Sequence, residues 1–250
     1  MTKRSDYRAA LESLPPGQWL AYLDAESGLP GPRGNIELAE AFADVADSTL
    51  ITLCAQSPDE YRAMCGAVGL GRLLVEGRPG SAESLRDLAG DHRWRVREGV
   101  AMALQRLGDA DMPALWHLAA EWLGDGHVMQ PLVARAVAAG ICEPRLLRTP
   151  EDAGRAVDVL DKITAAIAGA DPGLRRSEEF RVLRQGLGYC WSVAVAAAPD
   201  KGFGYLEKWA GSVGKDVRWI LRENLKKARL ARADQAACER LAARLEEPGE

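Results

Sequence analysis

The chain is poor in aromatic residues other than tryptophan, with 3 Phe and 5 Tyr against 7 Trp in 250 positions. It also lacks runs of Val and Ile of strand length, which excludes a β-sandwich or barrel and disfavours a doubly wound α/β sheet. No apolar run approaches 18 residues, and no apolar stretch follows Met1-Thr2-Lys3-Arg4-Ser5-Asp6. Neither a membrane span nor a signal peptide is expected. The five cysteines (Cys54, Cys65, Cys142, Cys190 and Cys238) are odd in number, widely spaced and without a CxxC pair. They read as small buried hydrophobes in a reducing, cytoplasmic setting. His92, His117 and His127 share no ligand spacing with one another or with a cysteine, so no metal site is expected. Dinucleotide and phosphate-loop fingerprints, a nucleophile elbow and a Cys/His pair are likewise missing, so the sequence points to no cofactor.

What is abundant is alanine, 41 residues of it, with other strong helix formers. Helical periodicity recurs from end to end, and an all-α fold is expected. The first segments are Ser5–Leu14, Gln18–Ala25 and Ile36–Val45, the last two separated by a Gly/Pro loop at 27–35. Within it, Gly28–Asn35 reads either as an ordered Ω-type element facing a ligand or as a loose connection. Helices then come in pairs: Ser48–Gln56 with Pro58–Val75, Ala82–Ala89 with His92–Leu107, and Met112–Leu123 with Val128–Ile141. Two more pairs follow, Pro150–Ala168 with Ser177–Ala197 and Gly204–Gly211 with Asp216–Leu230. A last helix, Asp234–Glu246, would cap the array. Charge is uneven beneath a formal −4. Residues 1–70 hold five Lys/Arg against ten Asp/Glu, a net of −5, whereas Lys215–Arg232 holds seven against two, a net of +5.

One internal repeat is visible. Asp91-His92-Arg93-Trp94-Arg95-Val96-Arg97-Glu98 matches Asp216-Val217-Arg218-Trp219-Ile220-Leu221-Arg222-Glu223 at an offset of 216 − 91 = 125 residues. That is about three periods of roughly 40, a length typical of two-helix repeats. The pattern Asp91, Val96, Arg97, Ala101, Leu104, Leu107, Gly108 resembles the second-helix signature of the HEAT-repeat family. The Asp216 copy departs in its second half, where Lys226 and Lys227 stand at positions usually small. The resemblance covers residues 47–232 and implies a right-handed α-α superhelix of about five helix pairs with one concave face. Residues 1–46 would be N-terminal helices and 233–250 a capping helix and tail, all in one domain. In length, paired helices and abundance of Trp and Arg, the chain is also similar to bacterial alkylpurine DNA glycosylases. Their Trp-Trp-Asp cluster is absent, and the nearest approach is Trp122-Leu-Gly-Asp125.

The repeat places indole beside guanidinium, which is how a surface stacks bases or grips phosphate. Arg93, Trp94, Arg97, Arg218, Trp219, Arg222 and Lys226 are the binding candidates, joined by an aromatic cluster at Tyr189 and Trp191. The alternative is that each Trp fills a seam between repeats while the arginines pair with Asp91, Glu98, Asp216 and Glu223. Asp158 and Asp161, one helical turn apart, fit a solvated face better than acid–base chemistry. The expected function is a non-enzymatic scaffold engaging a macromolecule, protein or DNA, through its concave face. The alternative is a glycosylase-type DNA-repair protein, for which Glu98 and Glu223 are the carboxylates nearest the Trp/Arg units.

Overall fold

The computed structural model describes residues 2–124 and 129–246, and the regular elements among them are all helical. The all-α class expected from composition is what the chain adopts. Asp125, His127 and Val128 lie outside the described residues, as does the tail after Glu246. The chain divides into two compact units, residues 1–118 and 119–250.

The N-terminal unit contains α1 (Lys3–Ser13), α2 (Trp19–Glu26), α3 (Ile36–Val45), α4 (Ser48–Ala55), α5 (Glu60–Val75), α6 (Ser81–Ala89) and α7 (Trp94–Ala110). The division falls within α8 (Met112–Leu123). The C-terminal unit contains α9 (Pro131–Ile141), α10 (Pro150–Gly169), α11 (Glu178–Ala197), α12 (Pro199–Ala210), α13 (Lys215–Leu225), α14 (Ala228–Ala233) and α15 (Gln235–Glu246). Several starts are written in the sequence as caps. The side chains of Asn35, Asp47, Asp59, Thr149 and Ser177 each accept the backbone N–H three residues on. Each such cap stabilises its helix by about 1 kcal/mol.

Each unit is organised around one helix rich in small residues. In the N-terminal unit α5 packs against α2, α3, α4, α6 and α7. A methyl group on Gly66 would collide with the Ala55 backbone nitrogen, and one on Gly71 would lie 2.6 Å from Ala103 Cα. These glycines therefore let α4 and α7 approach the α5 backbone itself. In the C-terminal unit α11 packs against α9, α10, α12, α13 and α14. Its Trp191 is fully buried, and the indole N–H donates to Thr164 Oγ1 at 3.1 Å, joining α11 to α10.

The pairs α4/α5, α6/α7, α10/α11 and α12/α13 pack against one another. The segment expected as one helix over Asp216–Leu230 is broken, because α13 stops at Leu225 and α14 starts at Ala228. There the Lys227 N–H turns back to the Asn224 carbonyl at 2.9 Å. The two repeat copies also differ in register: α7 starts three residues after Asp91, but α13 starts one residue before Asp216.

Candidate functional site

The Gly/Pro loop is ordered. Its ends meet where the Asn35 N–H donates to Ser27 O at 2.9 Å, and the Leu29 N–H donates to Ser27 Oγ at 3.2 Å. Gly28 turns the chain at φ +73°, a conformation glycine adopts without strain, and the Gly31 N–H donates back to its carbonyl at 2.9 Å. Asn35 is the hub. Its Oδ1 caps α3, and its Nδ2 donates to Glu26 O and Tyr7 Oη at 2.9 Å each. Its carbonyl accepts the Tyr61 hydroxyl at 2.7 Å. Gly28–Asn35 is thus an ordered loop with its ends closed rather than a loose connection.

Beneath this loop lies a cavity of about 460 Å³, walled by Asp24, Ser27, Leu29 and Pro30 on one side and by Asp59, Glu60, Tyr61 and Arg95 on the other. Beside it is a second cavity of about 310 Å³, whose apolar wall is Leu20, Leu53 and Pro58, with Cys54 and Arg62. The Asp24–Arg62 ion pair stands between the two, with Arg62 Nε 2.7 Å from Asp24 Oδ1 and Nη2 on Oδ2. Arg95 holds the far wall. It donates to Glu60 Oε2 at 2.9 Å and to Gly31 O at 3.2 Å, and its guanidinium lies 4.4 Å above the Trp94 ring. Burial pushes the Cys54 thiol up to about 12 and raises the Tyr61 phenol as well. Both therefore stay protonated at neutral pH, and neither is an activated nucleophile.

The residues singled out by the repeat fall in different surroundings. Arg93 grips Asp91 through Nε and Nη2, at 2.9 and 2.6 Å, and reaches Ser57 O and Pro58 O at 2.8 and 3.0 Å. Burial alone would raise the Asp91 carboxyl, but the hydrogen bonds from Arg93 hold it below its ordinary value. Arg97 donates to the carbonyls of Asp91 and His92 at 2.6 and 3.0 Å. Trp94 is 48% exposed, at the start of α7. Glu98 is half-buried on α7 and lines neither cavity.

In the C-terminal unit, Asp216 is buried and accepts Arg175 at 2.9 Å and Arg184 at 2.8 Å. The Arg184 guanidinium lies 4.6 Å over the Trp219 ring, which rests against Gly188 of α11. Arg218 and Arg222 both donate to the Leu245 carbonyl, at 2.5 and 2.6 Å, so they cap the C-terminal end of α15. Lys226 pairs with Glu223 at 2.6 Å. Tyr189 is 46% exposed, accepts Arg229 at 2.6 Å, and has Arg229 and Lys227 over its ring at 4.9 and 5.8 Å. Trp191 is a correction: expected as a surface anchor beside Tyr189, it lies in the core because it fills the α10/α11 seam. Asp158 and Asp161 bind Lys201 and Lys208 at 2.7 Å each, with Tyr205 and Trp209 also donating to them, and so tie α10 to α12.

Asp24, Asp59, Glu60 and Arg62 escaped the sequence reading as site residues. The signal that points toward them is the Gly/Pro loop itself, together with the Ser57-Pro58-Asp59-Glu60 start of α5. Comparison with protein-family models, curated proteins and solved structures finds no match in any of the three.

Proposed function

We propose that the chain is a non-enzymatic scaffold of HEAT-like helix pairs, stacked as a right-handed superhelix, that binds a protein partner. Stacking within the units supports the architecture: α5 packs on both α3 and α7, and α11 on both α9 and α13. Alternate helices packing side by side is the adjacency a repeat array requires.

The observation that carries the choice of partner is where the arginines go. Nucleic-acid binding needs cations free to replace counterions along a phosphate backbone. Here Arg93, Arg97, Arg218 and Arg222 each donate to carbonyls of the fold, and Arg93 is also closed on Asp91. What the N-terminal unit offers instead is a pair of adjoining cavities, one apolar and one charged, suited to protein side chains.

The test is fluorescence anisotropy of labelled duplex DNA, plain and carrying an abasic-site analogue, titrated with the protein at two salt concentrations. The expected result is no saturable rise on either duplex. A saturable rise that falls steeply with salt and prefers the abasic analogue would overturn the reading in favour of damaged-DNA recognition.

A further inference from the structure

We propose that the two cavities over the start of α5 form one groove for an extended segment of a partner protein carrying an apolar side chain beside a Lys or Arg. The inference rests on the protein-partner reading and specifies the site and the chemistry of what occupies it. The cavities follow one another along the chain, Pro58 lining the apolar one and its neighbour Asp59 the charged one, with the Asp24–Arg62 pair as the ridge an occupant would cross. An occupant lying along this wall presents successive side chains to successive cavities.

The apolar end commits the first side chain. Leu53 is 55% exposed, and Leu20 and Pro58 complete a wall around about 310 Å³. That space suits one aliphatic or aromatic group, whose burial supplies affinity. The charged end commits the second. Asp24 is matched by Arg62, and Glu60 by Arg95. Asp59 is the remaining carboxylate of the wall: its Oδ1 accepts the Arg62 backbone N–H at 2.8 Å, and it feels Arg62 and Arg93 at longer range but closes no ion pair with either. The first 70 residues carry a net charge of −5, so the surrounding field has the same sign. A basic side chain set beside Asp59 is the complement of both. Trp94, under Arg95 at the rim, offers an aromatic edge for further contact.

The experiment is selection of a displayed random-peptide library on the full chain, with enriched peptides then labelled and titrated by anisotropy. Enriched sequences are expected to pair an apolar residue with a neighbouring Lys or Arg. Asp59→Asn keeps the α5 cap, because asparagine caps as well as aspartate. It should weaken those peptides about tenfold, as loss of a charge-assisted contact does. Leu53→Ser, at an exposed position, should weaken them similarly without altering circular dichroism. Enrichment of acidic or uncharged peptides, or no enrichment, overturns the groove proposal. So does enrichment of basic–apolar peptides that bind Asp59→Asn and Leu53→Ser as tightly as the unsubstituted chain. That last result leaves the protein-partner reading standing at another surface, whereas salt-sensitive DNA binding removes the reading itself.

Discussion

Asn224 is fully buried, and its side chain stitches α13 into α11. Its Oδ1 accepts the Ser192 N–H at 2.7 Å, and its Nδ2 donates to Leu187 O at 2.7 Å and Ile220 O at 2.8 Å. Gly188 permits this reach, since a methyl group there would sit 3.1 Å from the Trp219 ring and 3.3 Å from Glu223 Cβ. Asn224→Ala removes the side-chain partner of one backbone donor and one backbone acceptor of α11, together with a contact to the Ile220 carbonyl of its own helix. At about 1–3 kcal/mol for each orphaned group, plus a small cavity, the loss should be about 3–5 kcal/mol. That corresponds to a fall in melting temperature on the order of 10 °C. Asn224→Asp separates hydrogen bonding from shape. An ionised carboxylate would face two carbonyl oxygens, so the buried acid is held protonated and its folded pKa lies above the unfolded value of about 3.9. A raised folded pKa means the stability is present below about pH 4 and is lost as pH rises toward that pKa, at about 1.4 kcal/mol per unit. Urea unfolding at several pH values, followed by near- and far-ultraviolet circular dichroism, reads both effects. If Asn224→Ala costs less than about 1 kcal/mol, or Asn224→Asp tracks the unsubstituted chain across pH, the bridging role is refuted.

Other perturbations separate packing from charge. Gly66→Ala gains about 1 kcal/mol of helix propensity but drives a methyl into the α4 backbone, so a net loss of about 1–3 kcal/mol is expected. Gly204→Ala in α12, with nothing within 4 Å of the new methyl, should instead stabilise by up to about 1 kcal/mol. Equal melting shifts for the two would refute the close approach of α4 and α5. Burial would raise the Asp44 carboxyl, but hydrogen bonds from Arg4 and Arg106 outweigh it and hold the group below 3.8. Its contribution is therefore present above that value and lost as pH falls through the lowered pKa, so acid melting of Asp44→Asn should be shallower than that of the unsubstituted chain. Paired substitution of Arg218 and Arg222 by Ala should speed amide exchange across α15, because it removes two donors from that helix's end. Unchanged α15 protection would contradict the capping assignment.

These residues also explain which features could be foreseen. Ile36–Val45 is legible as a helix because its determinants are local, a cap at Asn35 followed by apolar residues at helical spacing. The break after Leu225 is not, because its neighbour Asn224 is committed to Leu187 and Ser192, more than thirty positions away. Charge behaves the same way. The basic run Lys215–Arg232 is plain in the sequence, yet Arg218 and Arg222 are directed at Leu245 by packing, and no local pattern encodes that. The repeat shows the limit most sharply. Asp91 and Asp216 occupy matching positions, but Asp91 precedes its helix and closes on Arg93, whereas Asp216 lies inside α13 and is buried between Arg175 and Arg184. Matching letters do not fix matching surroundings: register against the helix start decides which groups each aspartate meets. The groove over α5 follows the same logic: Asp24, Asp59 and Arg95 are distant in sequence and meet through the hydrogen bonds that close the 27–35 loop and draw Gly31 onto Arg95. A site assembled by loop closure leaves in the sequence the glycines and prolines of the loop, and little else.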